Sequence, residues 1–488
     1  MNYSYLSYIK LENTAEQPVY LQLRDAFREL IANGILQSDV KVPSSRVLSE
    51  YFGVHRQTVV SAMQELLSEG WLLSKDRKGL FVNNNLPEIK PRSYGKKIKV
   101  YPDTAAFSFH KTIHPTIGRK SFLFGFDDGY PDIRIAPCLA FSKAYSQILA
   151  ENARRNTLAK VASGAGNLLL RDELAKMMRT YRGLSITSEN LLLTHGSQMS
   201  IFLVASKLLK YGDNVVVTKP SYLTANNCFT SLGANLLTVG VDNSGMIIDE
   251  VETICRKKKV KCIYVTSHHH HPTTVTLSVE RRMKLLQLAE QYSFAIIEDD
   301  YDYDYHYENK PLLPIASNDK HGNVVYVGSF SKILSHAFRL GYVIAPKNFI
   351  EEIATYRRLI DRQGDQILEE AVGILFRNNV VKNHVRKAVN IYRERRNAAY
   401  QLLNDELSDY LQCDLPEGGL AFWTHFDPAI SLQRLSERCA LKGLFFPDGR
   451  TYTYDKSKMN ACRMGFASMN TKELTKAVEI LKTEIGRN

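Results

Sequence analysis

Two short runs hold the residues best placed to do chemistry. Lys332 closes Val324-Val325-Tyr326-Val327-Gly328-Ser329-Phe330-Ser331-Lys332, where an apolar β-type stretch gives way to small polar residues and then a single lysine. Upstream, Phe294-Ala295-Ile296-Ile297 ends in Glu298-Asp299-Asp300-Tyr301. Buried strands that present an amine and a carboxylate at their C-terminal ends suit pyridoxal 5'-phosphate (PLP). The amine forms a Schiff base with the aldehyde, and the carboxylate keeps the pyridine nitrogen protonated so that the ring can act as an electron sink. Lys332 is the expected Schiff-base residue and Asp299 the expected partner of the nitrogen, with Asp300 as the weaker candidate. A third run, His268-His269-His270-His271-Pro272-Thr273-Thr274, invites a metal reading. Its place inside the same α/β pattern favours the rim of the cofactor site, and no metal is expected.

These groups need strands to carry them. From about residue 120 onward apolar strand-like runs (Leu191-Leu192-Leu193-Thr194, Asn214-Val215-Val216-Val217, Lys261-Cys262-Ile263-Tyr264-Val265 and the two above) alternate with amphipathic helical stretches. That alternation predicts an α/β fold with a mainly parallel central sheet and a site at the strand C-terminal ends. The N-terminal region reads differently. Tyr20, Leu23, Phe27, Leu30 and Ile31 lie at helical spacing up to Gly34. Pro43-Ser44-Ser45 opens a second, Ser-capped helix, Gly53 makes a turn, and a third helix runs from about His55 to Glu69. Helix, Gly turn, helix is the helix-turn-helix layout of DNA readers, and residues 71–82 follow as a β-hairpin wing with a basic tip.

At 488 residues the chain is too long for a single core. Residues 1–84 form the expected reader, 85–120 a linker and 121–488 the body. The reader balances nine Lys and Arg against nine Asp and Glu, whereas residues 85–120 carry eight Lys and Arg against Glu88 and Asp103, a net of +6. Four prolines in that stretch make it a basic linker, either a solvated connector or a holder of DNA phosphates. Seven scattered cysteines without a CxxC argue for a reducing cytoplasm and against a disulfide framework or a zinc site. The apolar runs are too short for a membrane span, and Met1-Asn2-Tyr3-Ser4-Tyr5 does not open a signal peptide.

Residues 15–83 resemble the GntR family of winged helix-turn-helix repressors, through Pro43-Ser44-Ser45-Arg46, Leu48-Ser49-Glu50, Gly53-Val54-His55-Arg56-Gln57-Thr58-Val59, Gly70-Trp71 and Lys78-Gly79-Leu80-Phe81-Val82. The resemblance implies that Ser44, Arg46, Arg56, Gln57 and Thr58 meet double-stranded DNA, with Lys78 and Gly79 at the wing tip. His55 stands where the family has a capping Ser or Thr, which predicts a weaker cap. The body resembles fold-type I PLP enzymes, the aspartate aminotransferase superfamily. Its landmarks include Gly129-Tyr130-Pro131-Asp132, Thr194-His195-Gly196-Ser197-Gln198, Pro220-Ser221-Tyr222, Phe338-Arg339-Leu340-Gly341-Tyr342 and Arg463-Met464-Gly465-Phe466-Ala467. The two parts together resemble the MocR subfamily of GntR regulators.

That resemblance implies a set of roles. Gly196, Ser197, Gln198, Ser329, Ser331 and Arg339 would hold the phosphate. Tyr222 would stack on the ring, Tyr301 would reach its hydroxyl, and Arg463 would grip an effector carboxylate. His271 replaces the usual Asn of Asn-Pro-Thr-Gly, which makes ordinary transamination less assured. The expected function is a cytoplasmic, PLP-dependent transcriptional regulator that senses PLP or a small amino compound. The resemblance also implies a head-to-tail homodimer reading promoter half-sites. The alternatives are a working aminotransferase with an auxiliary reader, and a regulator that uses the body only as a scaffold.

Overall fold

The computed structural model describes residues 3–12, 17–86, 104–108, 124–155, 163–308, 312–450, 452–453 and 459–486. Most of the basic linker expected at 85–120 lies outside them. The chain divides into two compact units, Met1–His110 and Lys111–Asn488.

In the first unit, α1 (Val19–Ala32), α2 (Ser45–Phe52) and α3 (Arg56–Ser68) precede a hairpin of β1 (Leu72–Lys75) and β2 (Gly79–Val82). Leu23 and Phe27 of α1, Leu48 of α2 and Val59 and Leu66 of α3 are fully buried together, each worth roughly 1.5–3 kcal/mol of transfer free energy. Ser44 caps α2 through a hydrogen bond from the Val47 N–H, and Gly53 ends it at φ 65°. Residues 40–42 extend the hairpin: Val42 N–H donates to the Leu80 carbonyl and Val82 N–H to that of Val40. That third segment ties the entrance of α2 to the wing.

The body is built on a seven-stranded sheet. Its strands are β3 (Leu191–Thr194), β4 (Asn214–Thr218), β5 (Asn235–Val239), β6 (Val260–Val265), β7 (Ala295–Asp300), β8 (Val324–Ser329) and β9 (Gly341–Ile344), in the order β3-β9-β8-β7-β6-β4-β5. All are parallel except β9, which runs antiparallel to both neighbours. The strands read as continuous apolar runs because helices cover both faces. The antiparallel strand follows from its connection: only residues 330–340 separate β8 from β9, too few for a helical crossover, so the chain turns back. Lys332 sits in that turn.

A smaller layer follows. Its sheet is β10 (Leu411–Cys413), β11 (Ala421–Phe426) and β12 (Ala461–Gly465), antiparallel throughout. The long helix Val380–Leu407 and the C-terminal helix Thr471–Ile485 pack on it. The segment Phe124-Gly125 pairs in parallel with Leu444-Phe445, which brings the start of the body onto this layer. Among the described residues no helix is long and apolar enough to cross a membrane.

Candidate functional site

On the reader, the first residues of α3 are presented outward. Arg56 and Gln57 are exposed, Thr58 is partly buried, and the Arg56 Nε donates to Ser45 Oγ at 3.2 Å. That contact fixes the arginine stem against α2, and sequence reading did not identify Ser45. Arg46 is exposed and pairs with Glu50 at 3.3 Å. Ser44 is the α2 cap, so its hydroxyl has a structural duty as well as an exposed position. Lys78 and Gly79 lie at the hairpin turn, Gly79 at φ 103°. The weak cap expected at His55 is corrected: His55 has extended backbone, and its Nδ1 accepts from the Gln57 N–H at 3.2 Å. An imidazole can do what Ser or Thr does here as long as Nδ1 carries no proton.

In the body, helix α4 (Ser197–Leu208) begins at Gly196 with no side chain capping it, so its first N–H groups remain available to an anion. Gly196 has φ 87° and ψ 168°, a region essentially reserved for glycine. A Cβ there would lie 2.7 Å from Arg339 Nη2, so glycine is what lets that guanidinium pack against the helix start. Arg339 Nη2 donates to the His195 carbonyl at 3.1 Å. Gly341 of β9 approaches just as closely, since its own Cβ would meet the Gly196 carbonyl carbon at 2.7 Å. Ser329 Oγ accepts from the Ser331 N–H at 3.2 Å, and both serines are buried. Gln198 Nε2 donates to the Thr224 carbonyl at 3.3 Å, and Tyr222 packs edge-on against His271 at 4.9 Å.

Strand alternation separates the three acids that end β7. Glu298 accepts from the N–H groups of Ile315 and Ala316, and Asp300 accepts from Tyr326 Oη at 2.6 Å. Both therefore serve the packing around the strand. Asp299 differs: Oδ2 accepts from Tyr264 Oη at 2.7 Å, while Oδ1 is buried with no hydrogen-bond partner among the described residues. Burial raises the Asp299 carboxyl to about 7, against the Tyr264 hydrogen bond and with Asp300 and Asp302 adding to the rise. An oxygen left this way would be satisfied by a protonated ring nitrogen.

The four histidines point to four different partners. His268 Nδ1 lies 3.3 Å from Asp300, His269 Nδ1 is 2.7 Å from Asp302, His270 Nε2 bonds Thr218 at 2.8 Å, and His271 Nε2 is 2.9 Å from Asp128. This divergence is what turns a run suggestive of metal into four separate struts. His271 Nδ1 is buried without a partner among the described residues. Tyr301 Oη donates to the His269 carbonyl at 2.8 Å, so its proton is engaged by the chain itself.

Lys332 is buried, and its Nζ donates to the carbonyls of Gly129 at 2.6 Å and Asp128 at 3.1 Å. Burial lowers its pKa, which makes the free amine more accessible. Arg463 on β12 is also buried, with Nε 3.3 Å from Asp128 Oδ1 and Nη2 4.0 Å from Asp302 Oδ2. Sequence reading missed Asp128 and Tyr264. Asp128 adjoins the Gly129-Tyr130-Pro131-Asp132 landmark, which was a usable signal; Tyr264 had none, because only the pairing of β6 with β7 sets it beside Asp299. The set fits PLP: an uncapped helix start with a glycine-permitted arginine for a phosphate, a free buried carboxylate oxygen for a ring nitrogen, and a buried lysine.

Comparison with known proteins finds relatives of both units. Residues 136–481 match the family model "Aminotransferase class I and II", and residues 19–82 match "Bacterial regulatory proteins, gntR family". The chain is 26% identical to the probable rhizopine catabolism regulatory protein MocR of Rhizobium meliloti, over 97% of this chain and 95% of that protein. It is 30% identical to the uncharacterized aminotransferase SSO0104 of Saccharolobus solfataricus, over 72% of this chain and 89% of that one. Among solved structures, kynurenine aminotransferase of Pyrococcus horikoshii, in complex with PMP, superposes with TM-score 0.68 at 25% identity, covering 75% of this chain and 91% of that one.

Proposed function

Because the chain belongs to the class I and II aminotransferase family and joins that body to a GntR-type reader, as regulators of the MocR type do, we propose that it is a PLP-dependent transcriptional regulator. The observation that carries this reading is the covalent union of a complete winged helix-turn-helix with a body whose buried lysine and unpaired buried carboxylate oxygen suit PLP. Similarity to the MocR protein extends along 97% of the chain, whereas that to the uncharacterized aminotransferase extends along 72% of it. Catalysis alone has no use for a recognition helix and a wing.

PLP, when bound, supplies an aldehyde with which a primary amine condenses. Lys332, kept buried and easily deprotonated, holds the aldehyde; Asp299 holds the ring nitrogen; and the start of α4 with Arg339, Ser329 and Ser331 holds the phosphate. Tyr222 and His271 border the ring. Arg56, Gln57 and Thr58 at the start of α3 meet base edges and phosphates of double-stranded DNA, with Arg46 and the Lys78–Gly79 tip beside them. The effector, PLP itself or a small amino compound, acts by binding one arrangement of the readers better than another. The active form in this reading is a head-to-tail homodimer in the cytoplasm, spanning paired half-sites.

The test is recovery of genomic DNA fragments by the purified protein with and without PLP, for wild type and Lys332→Ala. Specific fragments whose binding changes with PLP only in wild type are expected. Binding that ignores PLP in both proteins would reject the reading. Multiple turnovers with amino donors and keto acids at an enzyme-like rate would favour the aminotransferase instead.

A further inference from the structure

Arg463 is the group that would attract a ligand carboxylate, yet a carboxylate of the chain already stands beside it. Asp128 Oδ1 lies 3.3 Å from Arg463 Nε and 2.9 Å from His271 Nε2, and the backbone carbonyl of the same residue accepts from Lys332 Nζ at 3.1 Å. One residue thus touches the lysine, the histidine on the rim and the arginine. Asp302 Oδ2 is 4.0 Å from Nη2 of the same guanidinium.

The loop that carries Asp128 is fixed. Gly465 N–H, two residues beyond Arg463, donates to the Asp127 carbonyl at 2.7 Å, and a Cβ on Gly465 would meet Asp127 Oδ1 at 2.4 Å, so glycine admits the loop there. Asp127 is held further by the Tyr130 N–H at 2.8 Å and by Ser468 Oγ at 2.7 Å. Tyr392 Oη accepts from the Asp132 N–H at 3.0 Å. Asp128 is therefore placed by its backbone, with its side chain 40% exposed and its carbonyl on Lys332 Nζ.

The Nε–Nη2 edge of a guanidinium is one on which a carboxylate can dock with two hydrogen bonds. In Arg463 that edge faces Asp128 and Asp302. Neither acid makes an aligned hydrogen bond to it, since Nε and Nη2 have no such partner among the described residues. The edge is balanced in charge rather than saturated in hydrogen bonds. A ligand carboxylate arriving there would meet two like charges within a few ångströms. Burial opposes ionisation of Asp128, but His271, Arg463 and Lys332 together hold its carboxyl well below the usual range, so the opposing charge is present at neutral pH.

We propose that Asp128 is a specificity-determining residue that occupies the place of a ligand carboxylate, so that this site favours a primary amine lacking a carboxylate over an amino acid. The inference rests on the cofactor site proposed above.

The test uses the full chain loaded with PLP and follows the visible absorbance of the cofactor on titration with two matched probes, isopropylamine and L-alanine, which differ by a methyl in place of the carboxylate. Wild type is expected to bind isopropylamine at least as well as alanine. Asp128→Asn is expected to shift the preference towards alanine by about tenfold or more, the scale of one charge-assisted hydrogen bond. Arg463→Met should erase that gain in the Asp128→Asn background. Asp128→Ala serves the same comparison if Asp128→Asn does not take up PLP. A wild type that already prefers alanine by about tenfold, or an Asp128 variant whose ratio stays within about twofold of wild type, would overturn the inference while leaving the cofactor reading intact. Failure of wild type to take up PLP would overturn both.

Discussion

Asp299 shows how one strand position acquires a role its neighbours do not share. Glu298, Asp299 and Asp300 are consecutive acids in the sequence, but the outer two are consumed by backbone and tyrosine donors, and Asp299 keeps an oxygen without a partner among the described residues. Its carboxyl, raised to about 7 by burial, binds a proton in the folded chain that the unfolded chain releases near its ordinary value of 3.8. The folded state holds more protons between those two pH values, so stability of the PLP-free protein falls as pH rises from about 4 to about 7 and is flat above. The loss is on the order of 4 kcal/mol across that window, and Asp299→Asn should remove this slope in thermal melts from pH 5 to pH 8. The same variant is expected to weaken PLP uptake at pH 8, because an amide cannot pair with a protonated ring nitrogen as a carboxylate does. An unchanged slope in the variant would show that another group titrates.

At the scale of elements, the proposed function rests on two helix starts, and each depends on an unusual residue. Gly196 starts α4 in a backbone region that other residues enter at a cost of roughly 1–3 kcal/mol. Gly196→Ala is expected to lower stability by about that amount and to lose PLP affinity, since the new methyl competes with Arg339 for the same space. Calorimetry with and without PLP separates the two effects. His55 starts α3. His55→Ala should cost about 1 kcal/mol through loss of the cap and weaken DNA binding across sequences, whereas His55→Ser should restore both. A Ser variant no better than the Ala variant would mean that the imidazole acts on DNA directly. Elements also mark where sequence reading stopped. Strand β9 is not among the strand-like runs read from the sequence, where Phe338-Arg339-Leu340-Gly341-Tyr342 serves only as a landmark, and nothing in its composition marks an antiparallel partner. The closeness of Gly341 to Gly196 exists only through that pairing.

For the whole molecule, the expected assembly is a dimer. Sedimentation should give about twice the chain mass of 55.5 kDa, and DNase footprints should cover two half-sites whose relative protection changes with PLP. A monomer that still binds one half-site in a PLP-dependent way would leave the sensing role standing and remove the head-to-tail arrangement. Salt dependence adds a separate check. If Arg46, which is exposed, meets phosphate as proposed, Arg46→Ala should lower affinity on all sequences and reduce the salt slope by about one unit, while Gln57→Ala should relax preference at one base pair.

Local chemistry in the sequence determined a good deal: two kinds of unit, a reader with its helices, turn and wing, a mainly parallel α/β body, and a lysine and carboxylate at strand ends. Those features follow from apolar periodicity, turn glycines and short motifs, all of which act over a few residues. Tertiary structure decided the contacts between distant segments. It left Asp299 with an unpaired oxygen by placing Tyr264 on only one side of it, and it sent four consecutive histidines to four partners. It also laid the loop of Asp128 on β12 beside Arg463, 335 positions away along the chain (463 − 128). Strand pairing and glycine-permitted close approach set those distances, and neither leaves a mark in the residues that end up in contact.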